Sequence, residues 1–182
     1  MNNEVVPGGK NIVLIGFMGV GKTTIGRLLA EKIERTFIDI DQEIESEYQM
    51  PITEIFSELG EKAFREKEKN VIKNYCKQKQ MVLSLGGGAF MQEEIRETCL
   101  TNCIVLHLDT SWEAWKERLS LLVDSRPVLQ GKTLEEIEAL FHERKKLYKA
   151  HSKIVTDGLK EEDIADQVMA SLEGEEISGS IF

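Results

Sequence analysis

Short apolar runs alternate along this chain with longer stretches in which apolar residues return every three or four positions. The first pattern suits strands buried on both faces of a parallel sheet, and the second suits amphipathic helices packed over that sheet. Five runs read as strands: Ile12–Ile15, Thr36–Ile40, Met81–Leu85, Cys103–Leu108 and a weaker Lys153–Thr156. Helical spacing covers Lys22–Ile33, Asp41–Tyr48, Ile52–Leu59, Glu61–Gln78, Gln92–Cys99, Ser111–Leu122, Thr133–Ala150 and Lys160–Leu172. Strand and helix in alternation predict βαβ units and an α/β fold with helices on both faces of the sheet. No segment repeats another. One stretch breaks the pattern: Val123–Lys132 (VDSRPVLQGK) is polar, with Pro127 and Gly131, inside helical surroundings, as a mobile cover over a site would be. The tail Glu173–Phe182 is acidic, carries Gly and Ser, and is expected to fray.

Composition narrows this picture. The 182 residues are 41% hydrophobic, with 23 Lys+Arg against 32 Asp+Glu and a formal charge of −9. The length fits one domain over 1–182 with its core at about 10–172, and the hydrophobic share is too high for a disordered chain. The acidic balance disfavours a coat for nucleic acid or an anionic membrane, so an anionic ligand needs positive charge gathered locally. Met1–Gly9 lacks the pattern of a signal peptide, and no apolar run reaches the ~20 residues that span a bilayer. A cytoplasmic protein is expected. Three cysteines do not make a disulfide framework. Cys99, Cys103 and His107 stand four apart, a metal face if helical, but CIVLHL at Cys103–Leu108 reads as a strand, where those side chains diverge.

The chemistry starts at Gly16–Thr23. This stretch matches G-x-x-x-x-G-K-[ST], follows an apolar strand and opens a helix with Ile25, Leu28, Leu29 and Ile33 on one side. Glycines let backbone N–H groups turn onto a phosphate, the helix start adds partial positive charge, Lys22 reaches the β- and γ-phosphates, and Thr23 holds Mg²⁺. ATP or GTP binding follows. Asp109, closing an apolar strand, is a candidate for organising Mg²⁺ and water; the plainer alternative is a residue of the cap region ahead of Thr110 and Ser111. No Asn-Lys-x-Asp motif for reading guanine is present.

Three further clusters suggest a second substrate. Asp39 and Asp41 alternate onto one face at the carboxyl end of the second strand, where open α/β sheets bind ligands. Two carboxylates there suit Mg²⁺ and a hydroxyl proton, the alternative being that Asp41 caps the next helix. In Glu61–Gln78 the apolar stripe of Phe64, Val71, Ile72 and Tyr75 also contains Glu68. A carboxylate on such a stripe needs a partner, and Arg65 lies three residues earlier; a solvated surface pair is the alternative. Gly86, Gly87 and Gly88 follow a buried strand, which makes sense where backbone must approach a ligand or, more simply, in a loop.

Together the residues GFMGVGKTT, FIDID, EIFSELGEKAFREKE, LSLGGGA, SRPVL and ERKKLY resemble the shikimate kinase family, in the family's order, from about Ile12 to Thr156. The resemblance implies a P-loop NTPase-type three-layer sandwich, a five-stranded parallel sheet of order 2-3-1-4-5, and a lid over about 119–132. It implies ATP-dependent phosphorylation of the 3-hydroxyl of shikimate, with Mg²⁺, in the route to chorismate and the aromatic amino acids. By the same resemblance Gly19, Val20, Gly21, Lys22, Thr23 and Thr24 would hold the ATP phosphates, and Arg118 would pack on adenine. Asp39 would contact Mg²⁺ through water beside Thr23. Asp41 would bind the reacting diol and act as base, while Arg65, Arg144 and Gly86 to Gly88 would hold shikimate, with Glu68 supporting Arg65. Arg126 would close with the lid onto the transferring phosphate. The chain departs from the family's pattern at Lys146, where proline usually precedes the Leu-Tyr pair. A gluconate or nucleoside monophosphate kinase is the alternative within the class, and a nucleotide-dependent switch the alternative outside it. Neither nucleic acid nor membrane is an expected partner, and a monomer is expected.

Overall fold

The computed structural model describes residues 9–122, 126–148 and 152–178. Five parallel strands form the sheet: β1 (Asn11–Ile15), β2 (Thr36–Asp39), β3 (Met81–Ser84), β4 (Cys103–Asp109) and β5 (Ser152–Val155). Their order is β2-β3-β1-β4-β5, as expected. Central β1 pairs Ile12 with Val82 of β3 and with Ile104 of β4. Its alternation divides the core. Ile12 and Leu14 face one apolar layer, and Val13 and Ile15 the other.

The first layer packs under α1 (Lys22–Lys32), α6 (Trp112–Lys116), α8 (Leu134–Tyr148) and α9 (Glu161–Ser178). The second packs under α2 (Ile40–Tyr48), α3 (Ile52–Glu58), α4 (Gly60–Cys76) and α5 (Glu93–Asn102). Helix α4 shows why the sequence folds this way: Phe64, Val71, Ile72 and Cys76 recur at helical spacing and are buried, and Glu68 is buried with them. Helix α8 starts on a reciprocal cap in which Thr133 N–H donates to Glu136 (2.7 Å) and Glu136 N–H to the Thr133 hydroxyl (3.3 Å).

The structure revises three boundaries. Strand β2 stops at Asp39, whose carboxylate accepts the Gln42 N–H and caps α2, so Asp41 lies in the first helical turn and not on the strand. The cap is therefore Asp39, not Asp41. The helix expected at Ser111–Leu122 is two, α6 and α7 (Leu119–Leu122), because Arg118 N–H and Leu121 N–H bond three residues back and tighten the turn between them. Helix α9 continues to Ser178 into the tail expected to fray, while residues 179–182 lie outside the described part. Of the expected lid, residues 123–125 lie outside the described part, and Pro127–Leu129 forms a single 3-10 turn. Cys99 lies within α5 while Cys103 and His107 lie on β4, so the three do not share a helix. Among the described residues no helix is long and apolar enough to cross a membrane.

Candidate active site

The cleft opens at the carboxyl ends of β1, β2 and β3, where the loops after each strand meet. Between β1 and α1, Gly21 takes the left-handed φ of 98° and stands at the start of α1 with no side chain capping the helix. The first N–H groups of α1 and the positive end of its dipole are thereby left for an anion. The loop is held from behind. Trp115 Nε1 donates to Met18 O at 2.7 Å, and Phe17 sits edge-on to Trp115 and Phe141 with ring centroids 5.0 Å away in each case. Arg118 is exposed and donates to Gly19 O at 3.2 Å, which places it at the rim of the loop. Val20 is buried and Thr24 exposed in the first turn of α1.

Lys22 is buried and donates to Gly16 O and Phe17 O at 2.8 and 2.9 Å. Burial pushes its pKa down to about 7, with the Arg126 charge acting in the same direction. The Thr23 hydroxyl donates to Asp39 Oδ2, while Asp39 Oδ1 accepts from Gln42. Lys22, Thr23, Asp39 and Asp41 share a cavity of about 550 Å³ with Gly86 and Arg126. Asp109 takes no part. Its carboxylate is buried between Lys145 and Lys153, each at 2.7 Å, which leaves it out of the candidate metal role and in the region ahead of the helix cap. Ser111 caps α6, and Asp157 receives the Thr110 hydroxyl and the Ser111 N–H.

A second cavity, of about 380 Å³, adjoins the first and shares Asp41, Gly86, Gly87 and Arg126 with it. Arg65 and Glu68 reach it from α4 and Arg144 from α8. Glu68 is 0% exposed; its Oε2 accepts from Arg65 Nη1 (2.8 Å) and Gln92 Nε2 (2.9 Å), and its Oε1 has no partner. Burial raises its pKa to about 7 against the lowering effect of Arg65. The expectation of a paired Arg65–Glu68 unit holds. Arg65 also lies over the Phe64 and Phe56 rings at 5.2 and 5.9 Å. Arg144 lies over the Phe17 ring at 5.6 Å, buried, with Nη1 unpartnered. Two guanidiniums thus line one small cavity, one with a spare donor.

The three glycines make room. A Cβ on Gly86 would lie 2.7 Å from Asp41 Oδ1, one on Gly87 2.8 Å from Met18 N, and one on Gly88 2.6 Å from Arg65 Nη2. Arg126 Nη1 meets Asp41 Oδ2 at 2.9 Å. Burial raises the Asp41 pKa and Arg126 opposes the rise. Of the site residues expected from the sequence, Gly19, Gly21, Lys22, Thr23, Asp39, Asp41, Arg65, Glu68, Gly86, Gly87, Gly88, Arg126 and Arg144 line these two cavities, while Val20, Thr24 and Arg118 do not. Three contributors escaped sequence reading: Trp115, Tyr148, whose hydroxyl donates to Gly87 O at 2.5 Å, and Gln92. None belongs to a motif with chemistry of its own, and only their distant partners reveal them.

Comparison with known proteins agrees with this geometry. Residues 18–173 match the model of a family described as shikimate kinase. A shikimate kinase of Bacillus subtilis (strain 168) is 56% identical over 165 residues, which cover 90% of this chain and 89% of that protein. The structure of a shikimate kinase from Acinetobacter baumannii in complex with shikimate superposes with a TM-score of 0.84 at 34% identity, covering 98% of this chain and 97% of the other. A gluconokinase from Sinorhizobium meliloti 1021 shares the fold at a TM-score of 0.59 and 15% identity, covering 96% and 98%.

Proposed function

The chain belongs to the shikimate kinase family, and from that premise we propose how its own residues move a phosphoryl group from ATP to shikimate. The activity is ATP-dependent phosphorylation of shikimate. The single observation that carries the assignment of roles is the pair of adjoining cavities sharing Asp41, Gly86, Gly87 and Arg126.

In this reading the donor sits over Gly19 to Thr24, with Lys22 leaving the loop carbonyls to meet the β- and γ-phosphates and Arg118 against adenine. Thr23 and, through water, Asp39 would hold Mg²⁺: their hard oxygen donors lie together beside Lys22 in the donor cavity, which is the donor set that ion takes with nucleotides. When bound, it supplies positive charge between the phosphates. The acceptor sits in the second cavity, its carboxylate gripped by Arg65 and Arg144. A planar guanidinium offers parallel donors that fit a carboxylate, and the unpartnered Nη1 of Arg144 is one such donor awaiting an acceptor.

Asp41 aligns the 3-hydroxyl and takes its proton. Burial, by raising the proton affinity of this carboxylate, suits it to receive a proton that leaves late in a loose phosphoryl-transfer transition state. Arg126 exchanges Asp41 for the transferring phosphoryl group as the segment at about 119–132 closes and excludes water. The reading has one domain acting in the cytoplasm, and as a monomer, since one chain supplies the side chains of both cavities.

The test measures ADP release with shikimate, gluconate and nucleoside monophosphates in parallel. Shikimate should stimulate it strongly, with slow hydrolysis in the absence of an acceptor. Stimulation by gluconate instead, or rapid acceptor-independent hydrolysis, would overturn the reading.

A further inference from the structure

Glu68 is the most heavily buried charged group of the acceptor cavity, and its two oxygens are treated unequally. Oε1 has no partner and lies 3.1 Å from where a Cβ of Gly86 would stand, while Oε2 serves both Arg65 and Gln92. A buried carboxylate needs every donor it can obtain, and a neutral amide adds one without adding charge. Gln92 comes from a different element than Arg65 and is firmly based. It precedes α5, where its carbonyl accepts from Ile95 and Arg96 N–H, and its own N–H bonds Ala89 O in the 3-10 turn that continues the triple glycine. Arg96 ties the same turn through Phe90 O and Met91 O.

We propose that Gln92 is a positioning residue for the acceptor: its side-chain amide fixes the Glu68 carboxylate, which in turn orients Arg65. The proposal rests on the assignment of Arg65 to the shikimate carboxylate. The groups facing Glu68 are Arg65 on its own helix, Asp41 on α2, Gln92 before α5, and Arg144 and Tyr148 on α8. Of these, Arg65 and Gln92 hydrogen-bond the carboxylate and favour its charged form, while burial and Asp41 disfavour it. Loss of the amide therefore leaves Glu68 neutral over a wider range of pH, and Arg65 loses the ion that aims it.

The experiment uses Gln92→Met, which keeps length without the donor, and Gln92→Ala, assayed from pH 6 to pH 9. At pH 7 the KM for shikimate should rise about three- to tenfold, with kcat and the KM for ATP within about twofold of the parent. Because Glu68 ionises again as pH rises, the deficit should shrink to within about twofold by pH 9. A deficit equal at every pH, or one shared with ATP, would overturn the proposal. In a Glu68→Gln background, Gln92→Met should add less than about twofold, and a full additive loss there also overturns it.

A second measurement needs no substrate, and so separates this proposal from the assignment of the acceptor. Glu68 binds its proton more tightly folded than unfolded, so the stability it contributes is lost as pH rises from 4.5 through about 7. In Gln92→Met that loss should extend to higher pH, read from Tm. An unmoved profile overturns the proposal whatever the acceptor proves to be.

Discussion

On the proposed roles, the donor half of the cleft is built mainly from backbone and the acceptor half from side chains. The donor half has the N–H groups at the start of α1 and a loop turned by Gly21, with the Lys22 ammonium among them. The acceptor half has Arg65 and Glu68 from α4, Gln92 before α5, Asp41 from α2 and Arg144 from α8. A phosphate chain presents the same oxygens whatever it is attached to, so a backbone cradle suffices for it. A hydroxylated carboxylic acid must be told from its relatives, and that takes planar, directional groups held by further groups. The gluconokinase at 15% identity shares the fold alone, which by itself fixes no acceptor.

The largest effect that probes the division is Asp41→Asn. It removes the proposed proton acceptor while keeping the size of the side chain, and kcat should fall by about 10²–10⁴. The KM for ATP should stay within about twofold, because Asp41 lines the edge shared by both cavities and lies outside the loop and first turn of α1 proposed to cradle the phosphates. Steady-state kinetics with each substrate varied decide this; an equal loss of ATP affinity would mean the two halves are not separable at this residue.

A smaller effect comes from the glycines. On Gly88 an added Cβ meets the end of the Arg65 side chain, 2.6 Å away, and that guanidinium can swing aside. Gly88→Ala should therefore raise the KM for shikimate about tenfold and leave ATP alone, a loss of about 1.4 kcal/mol in acceptor binding. On Gly87 the added Cβ meets the Met18 backbone nitrogen at 2.8 Å, in the phosphate loop itself, and backbone cannot swing aside as a side chain can. Gly87→Ala should weaken both substrates. If Gly88→Ala struck ATP and Gly87→Ala did not, the comparison would be wrong in its geometry.

The same difference explains what the sequence made legible. The donor half is contiguous, eight residues from Gly16 to Thr23 between a strand and a helix, so spacing alone announces it. Strand order and the two-faced cover of helices were legible because β1 alternates into two apolar layers. The acceptor half could be read in part. Glu68 stood out because a carboxylate on an apolar stripe is anomalous, and the glycines because three in a row are poor choices for anything but close approach. Gln92 did not stand out, since a glutamine before a helix is unremarkable until the fold sets it 2.9 Å from a residue 24 positions away. Asp39 and Asp41 were rightly paired on the wrong geometry: they share a cavity because a helix starts between them. The ion pairs of Asp109 were not legible because its partners, Lys145 and Lys153, come from α8 and β5.

The smallest effect is the most specific, because it sets function against stability within the acceptor half. An ionised Glu68 costs the folded protein free energy, since burial raises its pKa to about 7 from 4.5. Below pH 4.5 the group is neutral in both folded and unfolded chains and the cost vanishes; it accrues as pH rises through 7 and reaches at most about 3 kcal/mol. Glu68→Gln removes that cost. Arg65 would retain Glu61, whose Oε1 lies 3.4 Å away, and its partial exposure lets water serve the rest. The variant should therefore match the parent in Tm near pH 4.5 and exceed it by a few degrees at pH 8, while its KM for shikimate rises several-fold at both ends of the active range. The backbone N–H groups of the donor half carry no such proton, and Lys22 beside them runs the other way: burial lowers its pKa to about 7, so the cost of its charge is relieved as pH rises from there. A Glu68→Gln protein less stable than the parent at pH 8 would show that the Arg65–Glu68 pair holds α4 together, and that the acceptor clamp is part of the core on which it rests.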